Sequence, residues 1–260
     1  MLQKKNAVIY GAGGAIGSAV AKAFAAAGAT VHLAGRTQES LRAVVDEIES
    51  AGGSAQETTL DAMDEAAVAE HAQNIMADAG SLDISINLIT RGEVQGTPMI
   101  DMKTEDITAP ISNAVTTNYV TARAAARHMV DQGSGVIIAL NSGSAHGSPM
   151  MGATGMADAA TDALVRNLAA EIGPRGVRVC GIWTAGLPET LSPAKLASFG
   201  GEPMDETAFQ GVLDHLDQMR MTKRSPRLDE VAATATFLAS DQAGAITGSF
   251  INATSGTFPS

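Results

Sequence analysis

The sequence predicts a single α/β domain, built as one doubly wound parallel sheet of about seven strands with helices on both faces. Three observations carry that expectation. Apolar, β-rich runs alternate with helical stretches along the whole chain. The runs are continuously apolar, the pattern of strands covered on both faces of a parallel sheet. The length, 260 residues, is enough to bury one full core without a second domain. Right-handed crossovers then place helices on both sides of the sheet, and ligands of such sheets bind at the carboxyl ends of the strands.

Taken in order, Met1–Asn6 leads straight into a first strand, Ala7–Tyr10, which enters the glycine-rich stretch from Gly11 to Gly17. The small-residue helix Ser18–Ala27 leaves that turn. A strand over Thr30–Ala34 precedes a helix over Gln38–Ala51, and a strand over Ala55–Leu60 precedes a helix over Glu65–Ala79. The strand Ile84–Leu88 is followed by the helix Thr116–Gln132, and the strand Gly135–Asn141 by the helix Ala157–Ile172. Arg178–Trp183, the helix Leu228–Ala239 and the strand Ser249–Ala253 complete the alternation. Leu187–Arg224 is the only long insertion; its mixture of Gly, Pro, Met and charge reads as a mobile substrate lid. Repeats and low-complexity tracts are absent from the sequence.

Composition narrows the classes of partner. Apolar residues make up 45% and charged residues 17%, ordinary for a globular protein. A formal charge of −11 argues against nucleic acid and anionic membranes, whose recognition needs basic patches. A small-molecule substrate is the partner this leaves. The single cysteine, Cys180, excludes an internal disulfide and fits a reducing compartment. With no apolar run of about 18 residues and no signal-peptide pattern, the expected location is cytoplasmic.

The glycine turn is the most informative stretch. Glycines allow a tight turn and close approach of backbone N–H groups to a pyrophosphate, and the following helix adds its positive N-terminal end. Gly11, Gly14, Ile16 and Gly17 are the expected contacts. An ordinary strand-to-helix turn rich in glycine is the competing reading. Position at the chain start, between strand and helix, favours nucleotide binding.

Further motifs extend the comparison over essentially the whole chain. Leu82-Asp83-Ile84-Ser85-Ile86-Asn87 precedes the turn Asn87-Leu88-Ile89-Thr90; Ala185-Gly186-Leu187-Pro188-Glu189-Thr190 follows the sixth strand; Glu230-Val231-Ala232, Phe237–Asp241 and Ile246-Thr247-Gly248 lie near the end. Together with the glycine turn, these resemble the short-chain dehydrogenase/reductase family. That resemblance implies a Rossmann-type dinucleotide-binding fold, oxidoreductase activity, and homotetramers or homodimers formed through the helices Thr116–Gln132 and Ala157–Ile172. Departures are visible: Ala15 replaces a glycine, the Asn-Asn-Ala-Gly turn keeps only Asn87, and Ala185 stands for a proline.

Where NAD-preferring relatives carry an acidic residue after the second strand, this sequence has Gly35, followed by Arg36. Without a carboxylate to repel it, a 2′-phosphate can sit beside the guanidinium, so NADP(H) is favoured over NAD(H). A plain surface arginine is the alternative. By the same resemblance Asp61 and Ala62 meet the adenine, Asn87 lines the cleft and Thr190 reaches the nicotinamide carboxamide. The alternatives are a helix N-cap for Asp61 and a loop hydroxyl bonded to its own backbone for Thr190.

The catalytic half departs further. The family's proton transfer uses a Tyr-x-x-x-Lys pair, whose lysine lowers the phenol pKa from about 10. Aligned from Leu168-Ala169-Ala170-Glu171, those positions fall on Thr154 and Asp158, and no tyrosine or lysine occurs from Val120 to Ala194. The family asparagine falls on Ala114, beside Asn113 and one turn before Asn118. Ser142 matches the family serine, with Ser144 as substitute. A threonine does not ionise usefully near neutral pH, and a carboxylate at 158 opposes a neighbouring anion. Losing a placed general acid costs about 10²–10⁴ in rate. Asp158 is still able to accept ribose hydroxyls, and His146, two residues after Ser144, is of the residue type that most often transfers protons, although a solvent-exposed loop histidine is the plainer reading. The expectation is an atypical NADP(H)-dependent oxidoreductase acting on a carbonyl, alcohol or activated double bond. Its alternatives are a non-redox dehydratase, isomerase or cyclase, or a nucleotide-binding pseudoenzyme; no metal site is expected. Arg91 and Glu93 read either as substrate-facing or as solvated loop charges. Tyr119 reads as interhelical packing, Tyr10 as support for the glycine turn, and Met99, Met102, Met150, Met151 and Met156 as an adaptable pocket or ordinary filling.

Overall fold

The computed structural model describes residues 1–197 and 204–257. Seven strands form one parallel sheet: β1 (Asn6–Tyr10), β2 (Thr30–Gly35), β3 (Ser54–Thr59), β4 (Ile84–Asn87), β5 (Gly135–Asn141), β6 (Val177–Trp183) and β7 (Phe250–Asn252). Their spatial order is β3-β2-β1-β4-β5-β6-β7. The helices are α1 (Ala15–Ala26), α2 (Gln38–Ser50), α3 (Glu65–Ala79), α4 (Thr104–Gln132), α5 (Thr154–Ile172), α6 (Pro193–Ala197), α7 (Glu206–Met219) and α8 (Leu228–Ala239). The predicted doubly wound sheet is therefore the observed one.

The two faces are read off alternate residues of β1. Ala7 and Ile9 join a core with Val20, Phe24 and Leu41 from α1 and α2 and with Ala235 and Leu238 from α8. Val8 and Tyr10 join the opposite core with Val68 and Ala72 from α3, Ala125 and Met129 from α4 and Val165 from α5. Burial on both sides explains why the central strands β1, β4, β5 and β6 are largely apolar, whereas the edge strand β3 is polar and mostly unburied.

The chain winds outward from β1 to β3 and then crosses back to β4, so neighbouring connections diverge at the β1–β4 boundary. There Tyr10 pairs with Asn87, and the Leu88 N–H donates to the Tyr10 carbonyl at 2.9 Å. A crevice opens where the strand order reverses, and this boundary positions the site.

Two expectations change. Helix α4 begins at Thr104, twelve residues before the predicted start at Thr116, and carries Pro110 within it. Leu187–Arg224 is not a plain loop, since it holds α6 and α7; its residues 198–203 lie outside the described residues. Its end is anchored by Arg220, 1% exposed, which donates to the Ala185 carbonyl at 2.9 Å and the Gly186 carbonyl at 3.4 Å. Among the described residues no helix is long and apolar enough to cross a membrane.

Candidate active site

The glycine turn joins β1 to α1 by contacts that tolerate no side chain. A Cβ on Gly11, whose φ is +80°, would lie 2.7 Å from the Leu88 carbonyl oxygen; one on Gly17 would lie 2.2 Å from the Gly11 oxygen. One on Gly13 would meet Ser40 Oγ at 2.4 Å. Helix α1 starts from Gly14 with no side-chain cap and no acidic residue in its first turn. Its first N–H groups are thus left for an anion.

Beyond this turn lies a cleft of about 450 Å³. Gly11, Gly13 and Gly14 form its floor, Arg36, Thr37 and Ser40 one end, Asp61 and Ala62 a wall, and Leu88, Ile89 and Arg91 the opposite wall. Arg36 is exposed and enters no ion pair among the described residues. Asp61 accepts the Met63 N–H at 2.9 Å, whereas the cap of α3 is Asp64, which accepts from the N–H groups of Ala66 and Ala67. Ile16 is half-buried and packs against the core beneath the turn.

Asn87 lies beneath the cleft wall, 7% exposed, and its Oδ1 accepts the Ile89 N–H at 3.0 Å, bracing the turn after β4. Thr190 bonds its own loop, donating from Oγ1 to the Leu187 carbonyl at 2.8 Å. That is the plainer of its two readings. Tyr10, 1% exposed, packs edge-on to His71 at 6.3 Å, and burial pushes its phenol pKa up.

The start of α5 holds the largest difference from expectation. Asp158 is fully buried, and all its acceptor capacity is directed at protein. Its Oδ2 accepts the Ser142 N–H at 3.1 Å, the Ser142 hydroxyl at 2.7 Å and the Ser144 N–H at 2.8 Å; its Oδ1 accepts Arg91 Nη1 at 2.7 Å. Ser144 Oγ lies 2.7 Å from Ser142 Oγ. In place of a carboxylate offered to ribose hydroxyls, the structure has one that holds the β5–α5 turn. The Ser142 proton is spent on it. Thr154 Oγ1 accepts from Gln95 Nε2 at 3.2 Å. His146 sits exposed on the turn with its ring 5.1 Å from that of Trp183, and no hydrogen bond joins it to Ser142 or Asp158 among the described residues.

Arg91, left between two readings by the sequence, is the counter-ion. Its side chain is 13% exposed, and Nε pairs with Glu93 at 2.5 Å while Nη1 pairs with Asp158. Burial acts to lower the guanidinium pKa, but Glu93 and Asp158 outweigh it and hold the value above its usual level. Asn113 Nδ2 donates to the Arg91 carbonyl at 3.1 Å. The sequence signal was the pairing of an unexpected carboxylate on α5 with an unexpected arginine after β4. Of the methionines, Met99, Met150 and Met156 are exposed, so they line no closed pocket. Among the described residues no cluster of His, Cys, Asp and Glu is placed to hold a metal ion.

Comparison with known proteins agrees with this architecture. A family model described as enoyl-(acyl carrier protein) reductase matches residues 11–257. A short chain dehydrogenase from Pseudocercospora fijiensis is 31% identical over 234 residues, covering 89% of this chain and 72% of its own length. A short-chain type dehydrogenase/reductase from Mycobacterium ulcerans superimposes with a TM-score of 0.86 at 26% identity, covering 98% of this chain and 90% of that one. A 7α-hydroxysteroid dehydrogenase complexed with NADH and 7-oxo glycochenodeoxycholic acid gives 0.81 at 26% identity, covering 98% and 94%. With its sheet order, its switch-point cleft and a match over nearly its full length, this chain belongs to the short-chain dehydrogenase/reductase family of oxidoreductases.

Proposed function

We propose that this protein is an atypical NADP(H)-dependent oxidoreductase acting on a carbonyl, alcohol or activated double bond of a small molecule. The observation that carries the reading is the Gly35–Arg36 end of β2, which opens into the cleft beside Gly13 with a free guanidinium and no carboxylate. The residues fit the cofactor: Gly11, Gly13 and Gly14 line the cleft without side chains to cover the backbone there, and the uncapped start of α1 would face an anion. Gly11, Gly13 and Gly14 would hold the diphosphate, Arg36 and the start of α2 the 2′-phosphate, and Asp61 and Ala62 the adenine. A bound nicotinamide cofactor supplies or accepts a hydride.

The chain's own residues then divide the work unusually. The pair that transfers a proton in relatives is absent, and Thr154 and Asp158 stand in its place. Ser142, whose hydroxyl donates to Asp158, holds the turn and does not activate a substrate oxygen. The proton therefore comes from water, from the exposed His146 or from the substrate. Binding is retained while placed acid catalysis is not, so turnover is slow by about 10²–10⁴ relative to a protein with a positioned acid. The single cysteine is buried and free, in keeping with a reducing, cytoplasmic setting.

Calorimetric titration with NADPH, NADH and NADP⁺ tests the reading. NADPH binds more tightly than NADH, and Arg36→Asp lowers NADPH affinity more than tenfold while barely changing NADH. Equal losses for both would show that Arg36 does not read the extra phosphate, and no binding of either would remove the cofactor assignment. A second reading, a nucleotide-binding protein without turnover, is favoured by the commitment of Ser142, Thr154 and Asp158 to internal bonds. Oxidation of bound NADPH across a panel of carbonyls, followed by nicotinamide absorbance, separates the two.

A further inference from the structure

The β4–α4 loop is strapped across the start of α5. Besides Arg91–Asp158 and Gln95–Thr154, the Gly96 N–H donates to the Met150 carbonyl at 2.7 Å, and a Cβ on Gly152 would lie 2.3 Å from the Val94 oxygen. These contacts fix Arg91 from both ends of its side chain. Nε is held by Glu93, Nη1 by Asp158, and the backbone carbonyl by Asn113. Nη2 has no protein partner among the described residues, and Arg91 lines the cleft beside Ile89 and Gly92.

We infer that Arg91 is a cofactor-binding residue: a clamped guanidinium that donates from Nη2 to a hydroxyl of the ribose in the half of the dinucleotide beyond the diphosphate. The inference rests on the reading of the cleft as a dinucleotide site. Two arguments select the ligand group. The clamp brings two carboxylates against one guanidinium, so the cluster is net negative and disfavours a further phosphate. A neutral hydroxyl accepts a charge-assisted hydrogen bond without that cost. The arrangement also accounts for the carboxylate at 158, which orients the cation in place of supplying it. The guanidinium reaches the cleft from the β4–α4 loop, not from α5.

The test separates the two halves of the ligand. Adenosine 2′,5′-bisphosphate carries the adenosine and 2′-phosphate but lacks the inner ribose, whereas NADPH carries both. Titrated by calorimetry, Arg91→Lys retains a charge for Asp158 but loses the fork that reaches two partners and the ligand at once. It is expected to weaken NADPH about tenfold, the size of one charge-assisted hydrogen bond, and to leave the bisphosphate within about twofold. Arg91→Gln could fail to fold because it strands Asp158. The double variant Arg91→Met with Asp158→Asn removes both buried charges and is expected to show the same split. Parallel losses for both ligands, or an unchanged NADPH affinity in either folded variant, would overturn the role of Arg91 alone. A wild-type protein that binds the bisphosphate and not NADPH would also overturn it. Failure of the wild type to bind either ligand would overturn the cofactor reading, and this inference with it.

Discussion

At the scale of single residues, the decisive fact is that one buried carboxylate organises the β5–α5 turn. Asp158 satisfies two backbone N–H groups and a hydroxyl of the β5–α5 turn while pairing with Arg91. Asp158→Ala orphans those donors and leaves a buried guanidinium half-compensated. The expected cost is about 3–5 kcal/mol, the range for breaking a buried ion pair by removing one partner, read as a shift in urea unfolding midpoint. A loss under about 1 kcal/mol would mean that water replaces the carboxylate. Restoring stability by adding Arg91→Met to Asp158→Asn would show that the two charges act as a unit. Sequence reading identified position 158 and its acidity. It did not identify the partner, because Arg91 is 67 positions away and only the strapping of the β4–α4 loop brings them together. The glycine turn was legible for the opposite reason: Gly11, Gly13 and Gly14 lie within four residues of one another, and the local turn alone determines what they present.

At the scale of elements, the central strands were readable because burial on both faces imposes an apolar composition that the edge strand β3 does not share. The ends of helices were less so. Helix α4 extends through Pro110, its seventh residue, to Thr104, and its start is capped: the Asp106 carboxylate accepts the Lys103 N–H at 3.1 Å. Helices α6 and α7 were hidden in the insertion because no described residue of either is buried, so no apolar core stripe marks them. The junction of β1 with α1 is held by close backbone contacts. Gly17→Ala drives a methyl into the Gly11 oxygen and to 2.8 Å from the Ala12 Cα, both backbone atoms. Because backbone cannot rotate aside, α1 must back away from the turn, at an expected cost of about 1–3 kcal/mol. Thermal melting and NADPH titration should fall together. A variant that melts like wild type and binds normally would show that the turn has slack that these contacts deny.

At the scale of the whole molecule, the question is whether a chain of net charge −11 associates with itself. Like charges oppose assembly, so the contact needs a patch where apolar atoms outweigh carboxylates. Helices α4 and α5 offer one: Val115, Tyr119 and Met156 are 42%, 48% and 40% exposed. Within it Arg123 lies over the Tyr119 ring at 5.1 Å and pairs with Glu65, which neutralises one of the few charges present. The expectation that Tyr119 packs between helices of one chain gives way to an exposed ring, available to a second copy. We therefore expect a homotetramer or homodimer through α4 and α5. Sedimentation velocity at micromolar protein is the check. Val115→Asp with Tyr119→Asp places two carboxylates in the patch of each copy, and like charges brought together across an interface cost several kcal/mol. The double variant should sediment at a lower mass than wild type with its melting transition intact. An unchanged mass would move the interface elsewhere, and a wild type already monomeric would leave these side chains as ordinary exposed apolar residues. The cleft lies at the strand ends and the patch on helices flanking the sheet, so NADPH titration of the dissociated variant also tells whether assembly supports the site. Retained affinity would show that one chain suffices to hold the cofactor.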